Sequence, residues 1–573
     1  MLSHYRLRHG PRQLVNRFFH KIMEKKYLLS SILIAIIFAT IVFLGKDFLL
    51  RFHKSPEGEE LETNDSSLKN KSTLAVVIDS ETYNSLKTEI SQYEKDVEND
   101  SNYKVVIKDF PINENIELIK SYLKNLYLKD NLRIVVLIGE VPTAMYFPGS
   151  VSSTAIPTDS YYYDIYDKCP YNKQNEAFEA RDKFCDPITI PFVVSRITPP
   201  VKGQEGIRLL KNYFNNNHAF RTGEIKFNQM ALIYAPLLND LPEPKYALES
   251  MRENMQTLLA IKTLKIYNDN ELFFAEWKNT SENLEPNTQF LTELSGNYQY
   301  VHVEAHGDPT FHDFDIDKNS LKKPNAFYTE FTSCNVGKFT TKDYIAGYYL
   351  LKGKSMFVNA SSDYFFGPVG SVNSIKLFLL KQGQPISKII EDSVFPSYII
   401  QNFGDPTLKM PQGELQKNST AKIQFKTNNI NFGQIKVCKK IEDSECKDLS
   451  AIKTMEFNFS NTGAENLGFF IQSKPDYSLD TIKNSHPLPG YLEPYRINFN
   501  IGQGGKGIGI NDSVGQGTKV TNETNVIKPN ETKNVKISLW GIAMGNYTGK
   551  ILIYSNDPQK PIIEIPFNVE VIE

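Results

Sequence analysis

The sequence lacks an excess of charge of either sign: 64 Lys and Arg stand against 66 Asp and Glu, a net charge of -2. A nucleic-acid protein held by a basic field is thereby excluded. Collagen triplets, sustained heptads and repeated apolar spans are also missing, which excludes a collagen, a coiled coil and a multi-span membrane protein. Cysteine is scarce, with five in 573 residues. What is present is 40% apolar and 12% aromatic. That is the composition of a folded chain, long enough for about three or four domains at roughly 150 residues each.

One long hydrophobic run occurs. Tyr27 to Leu44 reads YLLSSILIAIIFATIVFL, eighteen residues without a charge. A bilayer core takes roughly 17–25 such residues as a helix, so this run is expected to span. Arg6, Arg8, Arg12, Arg17, Lys21, Lys25 and Lys26 precede it; Lys46, Arg51 and Lys54 follow. The basic excess puts a short segment, 1–26, in the cytoplasm and everything after the run outside, as a single-pass membrane protein. The alternative is a cleaved signal peptide; no A-x-A site follows the run, and an uncleaved anchor is the expectation. Residues 45–72 are polar and aperiodic from Ser55 onward and read as a tether.

The cysteines fit export. Cys169 and Cys185 are close in sequence, as are Cys438 and Cys446, and each pair is expected to close a disulfide loop. Cys334 is left over as an odd thiol. The alternative is five unpaired thiols in a reducing compartment.

From Thr73 the pattern is short apolar runs alternating with amphipathic helical segments. The runs are LAVVI, KVVI, IVVLIG, PFVVS, MALIYA, YVHVEA, FYTEFTS and SMFVNA. Such alternation predicts a mainly parallel sheet with helices on both faces over 73–411. Region 145–188, rich in tyrosine, shows no period and is expected to be a long loop. After a linker at 412–420, residues 421–573 alternate with period two (AKIQFK, KTMEFNFS, LGFFIQS, NVKISLW, GKILIYS), which predicts an all-β immunoglobulin-like sandwich. The Gly-rich stretch at 502–517 contains no G-x-x-x-x-G-K-[ST] match and reads as a loop.

Two strand ends carry chemistry. YVHVEAHG runs into His306-Gly307, and FYTEFTSC runs into Cys334. Open α/β sheets bind ligands at the carboxyl ends of their strands. A thiol of pKa about 8.5 is mostly protonated near neutrality, and an imidazole beside it withdraws that proton and later delivers it to a leaving amine. The N–H groups of Gly307 and Cys334 are the expected oxyanion donors. Glu304, or a backbone carbonyl, is the expected orienting group for the imidazole. The bland alternatives are a turn histidine and a buried core cysteine. His302, two positions before Glu304, is expected to pack.

These segments resemble the gingipain-like cysteine peptidases of the caspase-like clan, over about residues 73–411. The clan pattern is an apolar block ending in His-Gly, then one ending in a small residue and Cys; Ala305 and Ser333 are small. IVVLIGEVP resembles the family's Val-Gly-Asp strand, PTDSYYYDIY with Asp159 its Asp-Tyr segment, and PFVVSRI its Gly-Arg strand, with Ser195 replacing the glycine. NASSDYFFGP resembles the substrate-pocket strand, with Tyr364 and Phe365 as its walls, and FGDPTLKM the domain's ending. In arginine-specific members an acidic residue selects the P1 side chain. The matching helix here carries Glu249, with Asp240 and Glu243 before it, so cleavage after Arg or Lys is expected. The bland alternative is that Glu249 is a solvated helix residue. NINFGQI, FNFSNTG and IYSNDPQ resemble Ig-like modules, and family members carry such a module after the catalytic domain.

The resemblance therefore implies a caspase-like α/β catalytic domain, an Ig-like sandwich and one N-terminal transmembrane helix. It implies a membrane-anchored, extracytoplasmic cysteine endopeptidase acting on protein or peptide substrates through a thioester acyl-enzyme. A transpeptidase of the same fold and a non-catalytic surface adhesion or scaffold protein are the alternatives. In the last case the Ig-like part binds another protein. Family members often bind calcium, but no D-x-[DN]-x-[DN]-G loop occurs here and no metal ligand is assigned. No cofactor is required by the chemistry.

Overall fold

The computed structural model describes residues 71–573. Outside the described residues lie 1–70 and internal stretches, the longer being 148–154, 166–170, 180–189, 238–247, 268–285, 365–373, 394–398, 412–419, 476–494, 502–507 and 512–525. The expected span at 27–44 and all but the last two residues of the expected tether at 45–72 fall outside them. Among the described residues no helix is long and apolar enough to cross a membrane. The single-pass membrane placement, with its cytoplasmic and extracytoplasmic sides, is corrected to that extent: the described residues carry no membrane helix.

Ten strands form the largest sheet: β1 (Ser72–Asp79), β2 (Tyr103–Phe110), β3 (Leu132–Ile138), β4 (Val193–Ile197), β5 (Asn228–Tyr234), β6 (Thr263–Tyr267), β7 (Tyr298–Val303), β8 (Ala326–Phe331), β9 (Phe357–Ser361) and β10 (Ile400–Gly404). Their spatial order is β6-β5-β7-β8-β9-β10-β4-β3-β1-β2. Every pairing is parallel except β9 with β10, where Phe357 faces Gly404 and Ser361 faces Ile400 in antiparallel register. Five strands on one side of that seam therefore run against five on the other. The expected caspase-like, mainly parallel sheet is corrected to a mixed one. Apolar runs report burial and not direction, and β10 and β6 gave no apolar run long enough to be read as strands.

Helices flank this sheet: α1 (Ser80–Ser85), α2 (Lys87–Asp100), α3 (Ile116–Asp130), α4 (Ser160–Tyr163), α5 (Gly203–Arg221), α6 (Pro286–Glu293), α7 (Ile345–Leu351), α8 (Ser374–Lys381) and α9 (Ile386–Ser393). The pleat of β1 sends Leu74, Val76 and Ile78 into one core with α2 and α5, and Ala75 and Val77 into another with α3. At β5, Leu232 and Tyr234 enter the first core, while Ala231 and Ile233 enter a third, packed with α8 and α9.

Small antiparallel ladders supplement the sheet. Ala144–Phe147, Ile156–Thr158, Tyr171–Asn172 and Ala177–Glu179 form a four-stranded sheet in the region expected to be a long loop, with one parallel pairing. Gly307–Asp308, Phe311–His312 and Ile316–Asp317 form a three-stranded one.

Residues beyond 421 make two five-stranded sheets over one core that includes Phe432, Phe459, Phe469, Leu539 and Phe567. Ile430–Lys436 pairs parallel with Ile562–Ile572, and the other pairings among the described residues of this part are antiparallel. Leu552 and Tyr554 of this part join the core under α8 and α9, where the Tyr554 and Phe378 rings meet edge to face at 5.5 Å.

Candidate functional site

β7 and β8 lie side by side, with Val303 opposite Phe331 as their last pair. His306 follows Val303 by three residues and Cys334 follows Phe331 by three, so both sit at the same level past the strand ends. The two exits are tied together. Thr332 N–H donates to the Val303 carbonyl at 2.9 Å, and Ala305 N–H to Ser333 Oγ at 3.2 Å. Ala305 and Ser333 are buried.

Main chains touch at Gly307. A Cβ placed on it would lie 2.2 Å from the Cys334 carbonyl oxygen and 2.9 Å from the Cys334 nitrogen. Only a residue without a side chain permits that approach. The histidine and cysteine loops are thus packed backbone to backbone, which brings the expected oxyanion donors Gly307 and Cys334 together. Cys334 is half-buried and carries no disulfide, and His306 is exposed.

Past the cysteine the chain turns at Asn335, whose φ of 58° is left-handed. Asn is one of the few side chains that visit this region routinely. Its N–H donates to the Asp363 carbonyl at 2.9 Å, and Gly337 N–H to that of Ser361 at 2.7 Å. The end of β9 is thereby fastened to the cysteine turn. Tyr364 follows, 54% exposed; Phe365 lies outside the described residues.

Asp313 and Tyr234 were not singled out from the sequence. Gly307 pairs with His312 in a tight hairpin, and Asp313 N–H continues the ladder by donating to the His306 carbonyl at 2.8 Å. The Tyr234 hydroxyl, at the end of β5, donates to the Asp313 carboxylate and lies 2.6 Å from Asn287 Oδ1. Burial pushes the Asp313 carboxyl up, the Tyr234 hydrogen bond draws it down, Asp315 raises it, and His306 draws it down. The available sequence signal was Asp-Pro-Thr between His306 and His312, a turn composition that closes a hairpin.

Glu304 is fully buried, and its carboxylate lies 3.7 Å from His302 Nε2. The proposed orienting group is therefore engaged with the neighbouring histidine. His302 Nδ1 is 3.8 Å from Glu330. Both separations exceed hydrogen-bond reach, leaving Coulombic attraction. Burial opposes the imidazolium, but the two carboxylates outweigh it and His302 is pushed up to about 9. Glu330 is also raised by burial, yet Lys376 holds it well below the ordinary carboxylate range.

Glu249 is exposed on a helical segment after β5, while Asp240 and Glu243 lie outside the described residues. Asp159 is buried against Arg196, accepting from its Nε at 2.9 Å and Nη2 at 2.6 Å. Cys169 and Cys185 lie outside the described residues. Cys438 is disulfide-bonded; Cys446 sits on the short strand Glu445–Cys446, and its side chain is outside the described residues. Among the described residues no group of three His, Cys, Asp or Glu is placed to hold a metal.

No family model matches the chain, and no curated protein does. The expected gingipain-like and caspase-like membership therefore finds no match. Solved structures give partial likenesses. The ASH / PapD-like domain of human CEP192 is 12% identical over 28% of this chain and 92% of that chain, with a TM-score of 0.16. A protein of unknown function from Porphyromonas gingivalis is 14% identical over 30% of this chain and 56% of that one, with a TM-score of 0.16. The adhesive subunit of the CFA/I fimbria of Escherichia coli is 11% identical over 30% of this chain and 52% of that one, with a TM-score of 0.14. Likenesses at these TM-scores assign neither a fold nor an activity to the chain.

Proposed function

We propose that the protein is a cysteine peptidase that acts through Cys334 and His306. The observation that carries this reading is the contact of Gly307 with the Cys334 main chain at the ends of two adjacent parallel strands. His306 accepts the thiol proton, and the Cys334 sulfur attacks the substrate carbonyl carbon. The negative charge moves to the carbonyl oxygen, for which the N–H groups of Gly307 and Cys334 are the donors. The tetrahedral species collapses to a thioester as the amine leaves with the proton from His306. Water then attacks the thioester, giving up its proton to His306, and releases the acid; an amine in place of water would give a transpeptidation. The resemblance of YVHVEAHG and FYTEFTSC to gingipain-like segments supports the same reading.

The test is incubation with a positional peptide library and with a peptidyl chloromethyl ketone. Wild type should cleave peptides and be alkylated at Cys334. Cys334→Ala should do neither, with an unchanged circular dichroism spectrum. Equal cleavage by Cys334→Ala would sink the proposal, and folded wild type that neither cleaves nor is alkylated would leave a non-catalytic scaffold.

A further inference from the structure

Resting on the Cys334–His306 reading, we propose that Asp313 is the positioning residue for the His306 imidazole, itself held by Tyr234. The Glu304 carboxylate lies beside the buried His302. Asp313 is instead the cross-strand neighbour of His306. In an antiparallel hairpin, Gly307 opposite His312 puts His306 opposite Asp313, and the bond from Asp313 N–H to the His306 carbonyl at 2.8 Å completes that pair. His306 and Asp313 flank the last ladder pair of this hairpin, so the two residues leave it side by side. A carboxylate beside an imidazole accepts from one ring nitrogen and fixes which nitrogen faces the thiol.

The carboxylate is built in place. Asp313 has a left-handed φ of 49°, which Asp tolerates. Its partner Tyr234 stacks on Phe290 with ring centroids 4.4 Å apart, and α6 supplies both Phe290 and Asn287. The next residue back, His312, is fully buried and bonds the Tyr349 hydroxyl through Nε2 at 2.8 Å, pinning the hairpin to α7. The groups facing Asp313 are Tyr234 from β5, Asn287 from α6, Asp315 from the same loop, and His306. The attraction between His306 and the Asp313 carboxylate agrees with the placement.

The experiment uses the full chain and Asp313→Asn, which keeps the left-handed backbone and an oxygen for Tyr234. The His306 ring nitrogens are followed by NMR in a Cys334→Ala background, and kcat and KM are measured with Cys334 present. In Asp313→Asn the His306 ring should lose its single preferred tautomer, read from its nitrogen chemical shifts. The value of kcat/KM should drop at least about tenfold, through kcat and not KM. Asp313→Glu should recover part of the loss, and Tyr234→Phe should give a smaller loss with the same sign. An unchanged His306 tautomer in folded Asp313→Asn overturns the proposal. So does a kcat/KM within twofold of wild type. The NMR arm needs no activity, so failure of the peptidase reading, seen as full cleavage by Cys334→Ala, is distinguished from failure of the Asp313 assignment.

Discussion

Gly307 is where one methyl group decides most. Its nearest neighbour on the Cβ side is backbone, the Cys334 carbonyl oxygen at 2.2 Å, with the Cys334 nitrogen and Val336 Cγ1 each at 2.9 Å. Gly307→Ala must therefore separate the two loops. We expect loss of measurable peptide cleavage and a destabilisation of about 1–3 kcal/mol, the usual cost of overpacking, read by urea unfolding. Activity within twofold of wild type would show that the loops need not touch. Two buried histidines set the pH response of the same region. Burial pushes His312 down to about 3. The unfolded chain then takes up a proton below about pH 6.5 that the folded one refuses, so stability falls as the pH drops from there. His302 behaves oppositely: with its folded value near 9 its contribution is complete below about 6.5 and is lost as pH rises through 9. The two effects together predict greatest stability near pH 6.5. A flat unfolding free energy from pH 4.5 to 9.5 would contradict it.

At the scale of elements, one row crosses the middle of the large sheet: His302 on β7, Glu330 on β8, Asn359 on β9 and Asn402 on β10, each in register with the next. Lys376 of α8 lies over it, donating to Glu330 and to Asn359 Oδ1 at 3.0 Å, and Asn359 donates to Asn402 Oδ1 at 2.9 Å. Tyr300 donates its hydroxyl to Glu330 as well. A buried ammonium loses its counter-charge if Glu330 becomes neutral. Glu330→Gln should cost about 3–5 kcal/mol by the usual penalty for breaking a buried pair, and Glu330→Gln with Lys376→Met should recover much of it. A double-mutant cycle with no coupling would remove Lys376 from this account. From sequence, Glu330 is a single acid inside an otherwise apolar run, FYTEFTS. Its partners Tyr300, His302 and Lys376 come from a strand and a helix, the farthest 46 positions along the chain, and pairing order decides that they meet. That is why His302 was legible as a packed residue and the network around it was not.

At the scale of the molecule, the C-terminal sandwich does not hang free of the large sheet. Tyr554 and Leu552 share a core with Leu377, Phe378, Ile389 and Met410, and Gln382 Nε2 donates to the Ser555 carbonyl at 3.5 Å. The expected linker at 412–420 separates two compositions and not two independent bodies. Tyr554→Ala should lower stability by about 3 kcal/mol, in the range for deleting a buried aromatic, and residues 71–411 alone should unfold at a lower temperature than 71–573. Equal melting temperatures would show that the shared core contributes nothing to the sheet.

The sequence by itself determined which segments are buried, where strands end in His306 and Cys334, and where alternation passes from helix-and-strand to strand alone. Those features are local: period, apolar run and turn residue all lie within a dozen positions. Tertiary structure decided the rest. The antiparallel seam at β9 and β10, the engagement of Glu304 with His302, and the meeting of Asp313 with His306 all depend on which strand lies beside which and in what direction. Burial leaves its mark on a single segment, but direction and neighbourhood are properties of pairs, and no single segment records them.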